Sequence, residues 1–216
     1  MNNVIIDCGT NLCQGLNMMI QRYDADKTWK IFSLEANPYT FSHAKKIVST
    51  VYPDWPITLI NKAVWVKDCK RKMTIECVDE RTIRHCVSQV SNTSDMINLE
   101  EENLFWVGGA SNIMEDNFNT SHPLVAKVKE QAVEVECINF AKFLEEETQS
   151  NDNVFIKFDI EGAEYSVINK LLKSESINRV KEITVEWHNH MLKQPYDESF
   201  LISELTNKNI KIHGHG

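Results

Sequence analysis

The chain has 216 residues, 42% of them hydrophobic and 25% charged, with a net charge of −8. This suits a single globular domain, residues 1–216, and disfavours nucleic acid, whose binding draws most of its affinity from basic contacts to phosphate. No apolar run is long enough to span a bilayer, and no charged-then-apolar leader precedes the first strand, so the expected location is the cytoplasm.

Val4 to Cys8 is an apolar run ending in "DCGTN". Leu12, Leu16, Met19, Ile20 and Tyr23 then recur at helical spacing. Ile31 to Leu34 is the next strand and closes on "EANP", where Pro38 suits a helix first turn. Phe41, Ala44, Val48 and Val51 give that helix a buried stripe. "ITLINKAVWV", residues 57–66, reads as one strand. The alternating "KMTIECV", residues 72–78, predicts a hairpin with "AVWV".

Residues 88–122 are polar and lack a period, so they predict a long acceptor-side loop or lid. A strand, "AVEVECI", and a helix, "NFAKFLEEE", follow. "VFIKFDIEGAEYSVI" is a buried strand running into a helix, "EITVEW" another strand, "DESFLISELTNKN" a helix and "IKIHGHG" a last strand. Strands alternating with helices predict an α/β fold, a mostly parallel sheet with helices on both faces. Ligands in such sheets bind beyond the carboxyl ends of the strands.

Those ends carry the polar residues. Gly9 allows a tight turn and a close ligand approach, and the following helix start offers free N–H groups. The alternative is a plain strand–helix turn. Glu35 can accept hydrogen bonds from both ribose hydroxyls, or else cap a helix. Together they favour an adenosine-type ligand, with the small and apolar residues of 61–64 near the base. Asp159, Glu161 and Glu164 surround Gly162. Glu164 reads as a helix-start acid, whereas Asp159 ends an apolar strand and suits a base or a metal ligand. Glu186, His188 and His190 alternate and are expected on one face, with His188 a second candidate base. His213 and His215 share a face and invite comparison with a His–carboxylate metal site. Six cysteines, at 8, 13, 69, 77, 86 and 137, form no C-x-x-C pair and read as reduced thiols. The acceptor patterns at Asn92 and Asn119 read as polar loops.

Seven segments, in order and across nearly the whole chain, resemble the FkbM-type S-adenosylmethionine-dependent methyltransferases: "VIIDCGTN", "FSLEANP", "INKAVW", "GGASNIM", "VECINFAKFL", "FIKFDIEGAEYSVI" and "TVEWH". The resemblance implies a Rossmann-like class I methyltransferase fold and S-adenosyl-L-methionine as donor. It implies that Asp7, Gly9 and Asn11, with Thr10 beside them, line the donor pocket. Glu35, next to Ala36, would hold the ribose, and Asn61 to Ala63 would lie near adenine. The implied acceptor is a sugar hydroxyl of a glycan or glycoconjugate, with Asp159 or His188 taking the proton and Glu161 and Glu186 shaping the acceptor pocket. A divalent metal on Asp159 and Glu186 is the main variant. Cys13 stands where the family usually has Gly, and the last strand of the wider class is expected to be missing. The first strand begins at once, which leaves room for a partner in a homo-oligomer to cover the donor. A nicotinamide-dependent oxidoreductase is the competing enzyme, disfavoured by the lack of G-x-G-x-x-G. A non-catalytic binding module is the third reading, which the acids and His188 oppose.

Overall fold

The computed structural model describes residues 1–75, 112–113 and 132–214. Most of the acceptor-side loop at 88–122, Cys77, Cys86, His215 and both glycosylation patterns lie outside these residues. The main sheet has six strands, all parallel, in the order β10-β9-β8-β1-β2-β3. They are β1 (Asn3–Cys8), β2 (Lys30–Leu34), β3 (Ile57–Ile60), β8 (Asn153–Phe158), β9 (Val180–Val185) and β10 (Lys211–Gly214). The α/β fold is therefore the expected Rossmann-like one. Chain order reverses between β1 and β8, so the switch point, where such sheets bind ligands, lies at their carboxyl ends.

Strand alternation builds two cores. Val4, Ile6 and Cys8 of β1, with Val154, Ile156 and Phe158 of β8, face α3 (Phe140–Glu147), α4 (Glu164–Leu172) and α5 (Glu198–Asn207). Ile5 and Phe155 face α1 (Gln14–Arg22) and α2 (Pro38–Val51) on the other side. Asn37 caps α2 by accepting from the N–H of Tyr39 and Thr40, with Pro38 in the first turn as expected. The buried stripe of α2 is Ala44, Ile47 and Val48; Phe41 and Val51 are only half-buried. No helix among the described residues is long and apolar enough to cross a membrane.

Two expectations about pairing fail. Residues 57–66 are not one strand: Asn61 donates from Nδ2 to the carbonyls of Glu35 (2.8 Å) and Ala36 (3.2 Å) across the strand ends, and β3 ends at Ile60. The chain then enters a second sheet as β4 (Ala63–Trp65). Nor does β4 form a hairpin with β5 (Cys69–Thr74). β7 (Ala132–Asn139) lies between them, parallel to β4 and antiparallel to β5, and β5 pairs in turn with β6 (Asn112–Ile113). The eight-residue β7 has an edge for each neighbour, and its partners lie some 70 positions away in sequence, beyond the reach of local alternation.

Candidate active site

A cleft opens at the switch point. It holds about 550 Å³ of empty space, counting its open mouth. Its floor is the ends of β1, β2 and β8, with Gly9, Asn11, Leu34, Glu35, Ala36 and Asp159 on it. Its wall is the second sheet, through Ala63, Val64, Met73 and Ile113.

The loop after β1 is unusually wound. Gly9 has φ 79°, Asn11 48° and Cys13 68°, all in the left-handed region that favours glycine. That dihedral explains why glycine suits position 13, and why Cys13 is a costly replacement. A Cβ on Gly9 would collide with the carbonyl oxygen of Asp159, so glycine here serves the approach of the β1 and β8 loops to each other. Glu35 sits under the loop. Its Oε2 accepts from the N–H of Asn11 (2.9 Å) and its Oε1 from that of Asn37 (2.8 Å). Burial pushes its carboxyl up to about 7, against the pull of those two N–H groups.

A buried polar row runs across the sheet beneath α1. Ser33, Asp7, Lys157 and Thr184 are register neighbours on β2, β1, β8 and β9. Lys157 is 1% exposed. Its Nζ lies 3.4 Å from Asp7 Oδ1 and 3.1 Å from Asp159 Oδ2, and donates to the Gly9 carbonyl at 3.0 Å. Burial alone would lower the ammonium's pKa, but Asp7 and Asp159 raise it, so Lys157 stays charged. One side chain thus ties both loops of the cleft floor.

The turn after β8 is held by Glu164. Glu161 (φ 54°) and Gly162 (φ 97°) reverse the chain. The fully buried Glu164 carboxylate accepts from the N–H of Ile160 (2.7 Å) and Gly162 (2.9 Å), and lies 3.0 Å from His188 Nδ1. His188 Nε2 is 3.5 Å from Glu161 Oε2, 3.8 Å from Glu186 Oε1 and 3.9 Å from Asp159 Oδ1. Burial would lower the imidazole's pKa, yet Glu164 first, then Glu161 and Asp159, raise it to about 9. Burial also holds the Glu161 carboxyl well above the usual carboxylate range.

The expected residues therefore divide. Gly9, Asn11, Glu35, Ala36, Ala63, Asp159 and Glu161 line the cleft. Asp7 and Thr10 are buried behind it, and Asn61 braces the β2 loop from outside. The strand ends at Val185, so the alternation of Glu186, His188 and His190 does not continue: His188 is buried while His190 is exposed in a 3₁₀ turn. Asp159, Glu161 and His188 can offer ligand atoms within 4.8 Å of one another; Glu186, expected as a metal ligand, is not in that set. His213 pairs with Glu182 at 3.1 Å, on the last strand. Lys157 is the residue that sequence reasoning did not single out, and Glu164, read only as a helix-start acid, holds the turn as well. A lysine in an otherwise apolar strand was the available signal for the first.

Residues 7–211 match the family described as the methyltransferase FkbM domain. The chain belongs to the FkbM methyltransferase family. No curated protein and no solved structure matches it significantly. In this FkbM methyltransferase the cleft at the switch point carries Glu35 and Asp159 on its floor.

Proposed function

We propose that this FkbM methyltransferase uses S-adenosyl-L-methionine to methylate a hydroxyl, most simply that of a sugar in a glycan or glycoconjugate. One observation carries the reading: Glu35 and Asp159 share one cleft floor, so an acid suited to ribose and an acid suited to proton removal face the same space. The donor fits the residues present. Glu35 suits the ribose hydroxyls, Ala63 and Val64 a flat base, and the acids around Asp159 a sulfonium charge.

When bound, the donor supplies a methyl group on a good leaving group. The chain's residues orient the acceptor oxygen and take its proton. In-line positioning can account for roughly 7–11 kcal/mol of barrier lowering, and a base for about 10²–10⁴-fold. Asp159 is the base in this reading. Its Oδ2 is fixed by Lys157, and its Oδ1 is turned to the His188 side. His188, held as a cation, is no proton acceptor near neutrality and instead balances the surrounding acids. Glu161 and Glu186 shape the acceptor side.

A second reading has a divalent ion on Asp159, Glu161 and His188, a donor set suited to hard or borderline ions. Such an ion would lower the pKa of a bound hydroxyl. The test is transfer of labelled methyl from the donor to a panel of sugars, with and without divalent ion. Label in sugar ether linkages supports the proposal. Donor binding without transfer to any sugar in the panel counts against it.

A further inference from the structure

Cys69 and Cys137 face each other across the β5–β7 ladder. They are direct register partners in the antiparallel pair. Residues so placed have Cα atoms about 4.5 or about 5.5 Å apart, depending on the rung, and both spacings fall within the range a disulfide spans. Cys69 packs against the core cluster that contains Cys137. Cys69 is half-buried and open to a small reagent, whereas Cys137 is buried. Cys8 and Cys13, the other described cysteines, are buried in the main sheet and its first loop.

We propose that Cys69 and Cys137 are a covalent modification site, forming a reversible cross-strand disulfide when a small-molecule disulfide is present. The Cys69 thiolate attacks one sulfur of the oxidant, such as oxidised glutathione, and releases one glutathione thiolate. Cys137 then attacks Sγ of Cys69 in that mixed disulfide, losing its proton and displacing the second glutathione. Two protein thiols are oxidised and one glutathione disulfide is reduced to two thiols, so the electrons balance. Burial raises the Cys137 thiol, which is why Cys69, the more exposed of the two, is the first to react.

The bond would act on the cleft wall. Cys137 is also the register partner of Ala63 on β4, and β5 carries Met73; both Ala63 and Met73 line the cleft. A Cys69–Cys137 bond would staple β5 to β7 within that wall.

The test treats the purified chain with oxidised glutathione and maps its peptides under non-reducing conditions. The expected result is a Cys69 adduct that gives way to a linked Cys69–Cys137 peptide, lighter by two hydrogen atoms than the two free peptides. Dithiothreitol should reverse it. Cys137→Ser should keep the adduct at Cys69, and Cys69→Ser should leave Cys137 unmodified. The oxidised chain should melt higher than Cys69→Ser treated alike. A persistent adduct in the unaltered chain, a link to Cys77 or Cys86 instead, or free alkylation of both thiols after oxidation overturns the proposal. No donor or acceptor takes part, so the result is independent of the methyl-transfer reading.

Discussion

Gly15 lies directly under the side chain of Lys157: a Cβ on Gly15 would sit 2.5 Å from Cε, 2.7 Å from Cδ and 2.8 Å from Nζ. The lysine cannot swing aside cheaply, because its ammonium is held by Asp7, Asp159 and the Gly9 carbonyl. Gly15 is in helix α1, where alanine normally gains about 1 kcal/mol over glycine. Here the sign reverses. Gly15→Ala should destabilise by about 1–3 kcal/mol through overpacking. Urea denaturation reads it, and a variant as stable as the parent would show that the lysine is free to move.

Lys157→Met should cost more, about 3–5 kcal/mol, since it leaves two carboxylates without their cation. It should also release the Gly9 and Asp159 loops. Donor affinity should therefore fall even where the variant is folded by circular dichroism, and titration calorimetry with S-adenosylhomocysteine measures that loss.

His188 ties stability to pH. Its folded pKa, about 9, is above its unfolded value of 6.5, so its contribution is fully present below pH 6.5 and is lost as pH rises through 9. The loss should be up to about 3 kcal/mol, at roughly 1.4 kcal/mol per pH unit. Melting curves between pH 6 and pH 10 should therefore fall more steeply for the parent chain than for His188→Gln. Parallel curves would remove His188 from the account.

If Glu35 holds the ribose as proposed, it should set an opposite dependence for donor binding. With its carboxyl near 7, the ionised form that best accepts from two ribose hydroxyls is lost as pH falls through neutrality. Affinity for S-adenosylhomocysteine should drop on going from pH 8 to pH 6, and Glu35→Gln should bind weakly with little pH dependence. An unaltered pH profile in Glu35→Gln would place the titrating group elsewhere.

Asp159→Asn should lower kcat by about 10²–10⁴-fold while leaving donor affinity within a few-fold. His188→Ala should act more weakly on kcat. With Asp159 as the base and no ion required, EDTA should leave turnover unchanged. Full loss of turnover in EDTA, restored by a divalent ion, would favour the metal reading.

The central strands β1, β2 and β8 were legible because each is a mostly apolar run, as a sheet covered on both faces requires. The cleft floor was legible for the same reason: polar residues such as Glu35 and Asp159 stand out where such runs stop. Glu164 was not, because an acid in a helix first turn already has a sufficient explanation in the helix dipole. Only the fold shows its carboxylate turned back to Ile160, Gly162 and His188. The second sheet was misread because β4 takes its partner from beyond residue 130, and alternation reports a strand but not its neighbour.

The β5–β7 ladder ends where Thr74 faces Ala132. β6 returns to β5 beside that end, so Ile113 joins Ala63, Val64 and Met73 on the cleft wall although it is far from Ala63 and Val64 in sequence. Glu35, Lys157 and Asp159 sit instead at the strand ends of the main sheet. Floor and wall are therefore carried by different sheets, and a change such as Ile113→Ala should reshape the wall while leaving the Lys157 ties of the floor intact.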